Sequence, residues 1–289
     1  MENRQTFGLA IICAAVAFGC GCGRTQQHTI PAESKPAPSP PTSDAASPFV
    51  SLPPDTQVLQ TRSFTSSTQK TYKIETVTDD REEALRALPL GTRDVAPPQA
   101  VPPGDNFRGT ARKAAKLSIA NAPPETFTDL STLIASLPSH KAMVNHVPPI
   151  RTTANSNRVA EEKRNVKVQA FLYAASREDD NDFHLILGRV PVSTPAVYLT
   201  MELSGLPPPS SPAFARLKAA RDAFKSFFRG DLPGTSYDFY TPPIPVAIEG
   251  SLFFDMSHAT GSRPGPASLR PKMPVVWEIH PITRIVFEP

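Results

Sequence analysis

Residues 166–189 read VKVQAFLYAASREDDNDFHLILGR. Val166, Val168, Ala170, Leu172 and Ala174 alternate with Lys167, Gln169, Phe171 and Tyr173, and further on Phe183, Leu185 and Leu187 alternate with Asp182, His184 and Ile186. Period-two alternation marks a strand whose two faces meet different surroundings. Between the two runs, Glu178, Asp179, Asp180 and Asp182 place four carboxylates around Asn181. Asp and Asn suit a turn, and the mutual repulsion of the acids requires water or cations. The stretch is therefore a hairpin whose loop is either a solvated turn or a cation site.

Working outward, Val197, Leu199, Met201 and Leu203 alternate with Tyr198, Thr200 and Glu202 and predict a third strand. The prolines from Pro207 to Pro212 stop it; Ser211 suits a helix cap and Pro212 a first helical position. Phe214, Leu217, Ala220, Phe224, Phe227 and Phe228 then form one helical stripe, closed at Gly230. Val246, Ile248, Gly250, Leu252 and Phe254 predict a fourth strand. Residues 275–287 (VVWEIHPITRIVF) predict a fifth, interrupted or bulged at Pro281, with Trp277 in the core or along a barrel seam. Three strands, a helix and two strands is the order of an OB fold, in which the helix plugs the barrel between strands three and four. The expected class is mainly β with α: a five-stranded OB-like barrel over 164–289, preceded by short helices and a disordered Pro-rich tether.

Proline makes up 34 of the 289 residues, more than twice the usual share of about 5%. Many of the prolines lie upstream of the barrel. Residues 1–19 hold Arg4 and then the apolar run FGLAIICAAVAF, too short to span a bilayer and of signal-peptide length. All three cysteines, Cys13, Cys20 and Cys22, fall in this opening stretch, so no disulfide, Cys-ligated zinc or thiol nucleophile belongs to the rest of the chain. Residues 20–104 read as a largely disordered tether, dispensable for folding, with Asp79–Leu88 as a short helix candidate. Residues 105–163 read as a helical extension: Arg108–Ala120 favours helix, and Thr126–Asp129 resembles a capping box before Leu130, Leu133, Ile134 and Leu137, which lie on one helical face. An isolated helix this short is marginal, so the stripe is expected to dock on the barrel.

Ala17-Phe18-Gly19-Cys20 resembles the lipobox of bacterial lipoproteins, with Ala17 where that family usually has Leu. The resemblance implies lipid attachment at Cys20 and a membrane-anchored envelope protein. The absence of Asp after the cysteine leans toward the outer membrane, facing the periplasm. The alternative is an ordinary cleaved signal peptide. Asp180-Asn181-Asp182-Phe183-His184, Gly250-Ser251-Leu252-Phe253-Phe254-Asp255 and Glu278-Ile279-His280-Pro281 together resemble a group of bacterial exported proteins of no established activity. The resemblance covers about residues 126–289 and implies an OB-like fold. Many members have His-Gly-Gln where this chain has His258-Ala259-Thr260.

Asp182 and His184 share a strand face, and Glu278 and His280 repeat the spacing on the last strand. If barrel closure pairs the first strand with part of the fifth, the two pairs converge. With Asp180 they then form a ligand set for a divalent metal such as zinc, manganese or iron. The alternative is that each His bonds a loop and each acid is solvated. A ligand rim is expected between the acidic loop, Glu178 and Asp179, and the loop carrying His258, Arg263, Arg270 and Lys272, suited to a small polar ligand or an envelope protein. The four carboxylates and a net charge of +3 argue against nucleic acid. Lys218, Arg221, Lys225 and Arg229 read as a solvated basic face of the helix. No catalytic residue is assigned. The function expected is an OB-like binding module in the envelope, with a nuclease-like metal-dependent hydrolase and a structural envelope protein as alternatives.

Overall fold

The computed structural model describes residues 56–78, 104–261 and 263–289. The expected signal peptide, Cys20, the 79–88 helix and most of the tether lie outside them. The described chain is mainly β with helices. Its strands are β1 (Val58–Thr65), β2 (Thr71–Val77), β3 (Pro124–Phe127), β4 (Asn165–Arg177), β5 (Phe183–Gly188), β6 (Tyr198–Leu203), β7 (Tyr237–Phe254) and β8 (Trp277–Phe287). Its α-helices are α1 (Lys113–Lys116), α2 (Leu130–Ala135), α3 (His140–Val144), α4 (Phe214–Phe228) and α5 (Met256–Thr260).

The strands form one mixed sheet of order β1-β2-β7-β8-β6-β5-β4-β3. β4 also pairs with β7, from Asn165 opposite Ser251 to Ala175 opposite Asp238, so β4, β5, β6, β8 and β7 close into a ring. β6 and β8 run parallel, while the other ring pairs are antiparallel. Alternation fixes which side chains face the main core: Val166, Val168, Leu172, Phe183, Leu185, Leu187, Leu199, Met201, Leu203 and Ile279 are all buried in it. The α4 stripe packs there, with Phe224 4.8 Å from Phe183 and Phe227 stacked at 3.9 Å on Phe287. Trp277 is buried in the same core and donates from Nε1 to Pro138 O at 2.9 Å.

Several local readings need correction. Residues 58–77, expected within the tether, form an antiparallel hairpin that extends the sheet, β2 pairing with Tyr237–Thr241 of β7. Phe64, Tyr72 and Ile74 are buried in the main core, burial that offsets the ordering entropy a tether could not meet. The expected helix over 108–120 contracts to α1. The chain ahead of it is instead irregular and bonded to the ring, Phe107 N donating to Leu206 O at 3.0 Å and Arg108 N to Asp180 O at 2.8 Å. Asp129 caps α2 directly, accepting from Ser131 N at 2.7 Å, and Leu130 and Leu133 are buried as the stripe requires. Arg229, at φ 51, ends α4 ahead of Gly230. β7 begins at Tyr237 rather than near Val246, running through Pro242, Pro243 and Pro245. β8 runs unbroken through Pro281, with a register shift there, and opposite it β7 carries Gly250, where an added Cβ would stand 2.4 Å from Pro281 O, so only glycine fits.

The 105–163 extension is fastened by two buried arginines. Arg112 donates from Nη1 and Nη2 to the Glu162 carboxylate at 2.6 and 2.8 Å and from Nη1 to Phe254 O at 3.1 Å; Glu162 in turn accepts from Phe254 N at 2.9 Å. Arg158 reaches the carbonyls of Ala115, Ser118, Leu252 and His280. Burial, only partly offset by Glu162, pushes its guanidinium down to about 10. Arg221 is also buried rather than solvated: it donates to Asp105 at 3.0 Å and to the carbonyls of Leu203 and Ser204, with its guanidinium 4.4 Å from the Phe183 ring centroid. Lys225 joins Asp105 at 2.8 Å, so this stretch of the basic stripe holds the start of the extension.

Candidate metal centre

The face of β5, β6 and β8 opposite the main core carries His184, Thr200, Glu202, Glu278 and His280, with Asp182 in the turn just ahead of β5. Register sets them side by side, because His184 lies opposite Glu202 and Thr200 opposite Glu278. Asp182 and His280 are 0% exposed, Glu278 1%, His184 5% and Glu202 7%. Such a face would ordinarily meet water. Here α1 brings Lys116 over it and the β7–β8 loop brings Asp255 and His258 to its side.

His280 sits between acids: its Nδ1 is 2.8 Å from Glu202 Oε2 and 3.6 Å from Glu278 Oε2, and its Nε2 is 3.4 Å from Asp182 Oδ2. Despite these short approaches, none has hydrogen-bond alignment. Asp182 Oδ2, Glu202 Oε2, both Glu278 oxygens, both His280 nitrogens and His184 Nε2 are buried polar atoms without a hydrogen-bond partner among the described residues. Buried polar groups are normally paired, so a concentration of unpaired ones in a single cluster requires an explanation. Asp182 Oδ1 is engaged, accepting from Gly205 N at 2.6 Å. On His184 the other nitrogen, Nδ1, lies 2.7 Å from the Tyr237 hydroxyl and 3.3 Å from Glu178 Oε1.

Lys116 is the cluster's fixed cation, with Nζ 3.2 Å from Asp180 Oδ2, 3.7 Å from Glu202 Oε2 and 3.8 Å from Asp182 Oδ2. Burial and the surrounding carboxylates raise Asp182 and Glu278 well above the ordinary range. Burial would raise Glu202 too, but Lys116 and the two imidazoles outweigh it and hold it well below. Burial pushes His280 down despite Glu202, whereas Glu178 and Glu202 overcome burial and push His184 up. Without further positive charge the acids thus compete, and two of them favour keeping a proton. A divalent ion would supply that charge and hold all three ionised.

Of the residues expected as ligands, Asp182, His184, Glu278 and His280 are brought together. They meet across β6, not by first-to-fifth-strand pairing. Asp180 stays outside: its Oδ1 accepts from Asp182 N and its Oδ2 faces Lys116. Glu202, between the two pairs, and Lys116 were not singled out from sequence. Glu202 had a signal, an acid in a strand otherwise apolar except for Thr200; Lys116 had none. Among the described residues, three groups place ligand atoms within 4.8 Å of one another: Asp182–Glu202–His280, His184–Glu202–Glu278 and Asp255–His258–Glu278. In the last, Asp255 caps α5, accepting from Ser257 N at 2.8 Å and His258 N at 3.2 Å, with Oδ2 2.5 Å from His258 Nδ1.

The expected ligand rim divides. Glu178 turns to His184 and Asp179 is exposed. Arg263 donates to Met273 O and Arg270 to Gly265 O, so both bond carbonyls of their own loop; Lys272 is exposed. Compared with protein-family models, curated proteins and solved structures, the chain matches none.

Proposed function

We propose that the chain is an exported envelope protein whose 164–289 portion is an OB-like barrel, and that its function rests on a divalent transition-metal ion held by Asp182, Glu202 and His280. The ring of five strands with α4 between its third and fourth members supports the OB-like reading. The observation that carries the metal reading is the unpaired, buried state of ligand atoms from β6, β8 and the turn ahead of β5. Carboxylate with imidazole is a donor set for zinc, manganese or iron. The burial of these side chains supports a resident ion more than a hydrolytic site open to a polymer substrate. Export and attachment at Cys20 remain part of the proposal on the strength of the sequence, with the membrane as partner through the lipid.

The test is metal exchange on the full-length protein. After chelation and dialysis, excess Zn(II), Mn(II), Fe(II) and Co(II) are added separately and the melting temperature is recorded. An ion present at 100 times its Kd stabilises by about 2.7 kcal/mol, which at about 2–4 °C per kcal/mol is a rise of roughly 5–11 °C. His280→Ala should abolish the rise. Unchanged melting with all four ions, and none retained after desalting, rejects the metal reading.

A further inference from the structure

We infer that the centre takes two divalent ions, with Glu202 shared between them. The inference rests on the metal reading above and adds a second site, His184–Glu202–Glu278, that one ion at Asp182–Glu202–His280 leaves unused.

The two groups have only Glu202 in common, and each keeps its ligand atoms within 4.8 Å. Glu278 is 1% exposed with neither oxygen hydrogen-bonded, and His184 Nε2 is likewise buried and unbonded. An ion bound by Asp182 and His280 satisfies neither residue. His184 also carries the support that metal-bound imidazoles have. Its Nδ1 lies 3.3 Å from the Glu178 carboxylate and 2.7 Å from the Tyr237 hydroxyl, and Glu178 accepts from Ser176 Oγ at 3.2 Å. A proton held on Nδ1 by Glu178 leaves the lone pair on Nε2, the buried nitrogen without a hydrogen-bond partner, free for an ion. A histidine recruited only for packing has no need of a carboxylate behind it.

Charge is in keeping with more than one ion. Among the described residues, Asp180, Asp182, Glu202 and Glu278 surround one fixed cation, the ammonium of Lys116. Ionised, they carry an excess of three negative charges, more than one divalent ion balances. Asp255 stands apart from that count because His258 and the first amides of α5 already engage it. His258 is 38% exposed on its side chain and Glu278 belongs to its group, so ions would reach the second site from this side.

The experiment counts ions on the full-length protein. Chelator-treated protein is loaded with Mn(II) alone, desalted, and its bound manganese measured by atomic emission. The proposal expects two ions per chain and an exchange-coupled electron paramagnetic resonance spectrum from the wild-type protein. His184→Ala should fall to one ion and lose the coupling, while His258→Ala should keep both. One ion per chain in the wild type with an isolated six-line spectrum overturns the second site and leaves the metal reading standing. So does retention of two coupled ions by His184→Ala. No bound manganese at all overturns the second site and, if the other three ions also fail, the metal reading with it. The wild-type spectrum decides the question even if a variant does not fold.

Discussion

Replacing Phe64 tests whether the hairpin is part of the folded core. Its ring stacks on Phe228 at 5.1 Å and on Tyr72 at 5.5 Å, with Phe227 edge-on at 6.0 Å, and the residue is 2% exposed. Phe64→Ala removes the ring and leaves a cavity that neighbours on α4 and β7 can only partly close. Such changes cost about 3–5 kcal/mol, and loss of four aromatic contacts, Tyr240 edge-on at 6.4 Å being the fourth, each worth about 0.5–1.5 kcal/mol, argues for the upper part of that range. With a urea m-value of about 2 kcal/mol/M, the unfolding midpoint should fall by roughly 1.5–2.5 M. The control is Ser63→Ala, one residue away on the exposed face of β1, where surface changes stay within about 0.5 kcal/mol. Urea titration of both variants, followed by Trp277 fluorescence, reads the difference. Midpoints within about 0.25 M of each other would refute a docked hairpin and restore the reading of 56–78 as tether.

Arg112→Ala should strand the Glu162 carboxylate in the interior; breaking a buried pair costs about 3–5 kcal/mol, so the melting temperature should drop by about 6–20 °C, and a drop below about 3 °C would contradict the pairing. Asp105 is held below the usual carboxyl range because Lys225 and Arg221 outweigh its burial. Its pairing therefore stabilises the fold above the unfolded value of about 3.9 and ceases to do so as pH falls through the lower folded value. Against Asp105→Asn, the pH-dependent part of the stability difference should vanish in that acid range; a difference flat down to pH 2 speaks against it. Labelled fatty acid should enter the wild-type chain and not Cys20→Ala, and equal labelling of both would exclude attachment at Cys20.

The β4–β5 hairpin, β6, α4 and β8 were legible because each carries a run of period-two alternation or a stripe at helical spacing, although a bulge after Leu172 turns Ala174 away from the main core and β8 is irregular at Pro281. The hairpin at 58–77 has comparable alternation, with Phe64, Tyr72 and Ile74 inward, but proline-rich flanks made the whole region read as tether. The first half of β7 was hidden for a related reason: Pro242, Pro243 and Pro245 contradict a strand on local propensity, and Pro242 and Pro243 fall where the pairing with β2 has ended at Thr241 and that with β4 skips from Phe239 to Ile244. In the cluster, alternation identified Asp182, His184, Glu278 and His280. It could not show that β6 lies between their strands, so Glu202 went unassigned. Asp180, in the same turn, faces Lys116 and the Asp182 amide, a direction that charge density within a turn does not reveal. Lys116 lies 66 positions from Asp182 in sequence and enters only through tertiary folding.

The long strand β7 has a consequence for how the chain comes together in time. Its first residues serve β2, its middle and end serve β4 and β8, and it lies after all its partners except β8. While the chain emerges from the ribosome, β1 and β2 can meet each other but have no neighbour to add to, and β4 has β3 and β5 but not β7. Both wait for the same segment. Contacts of such long sequence separation slow folding, and until β7 arrives two open strand flanks are exposed to other chains. A nascent chain halted before Tyr237 would therefore be an aggregation-prone intermediate rather than a smaller version of the finished protein.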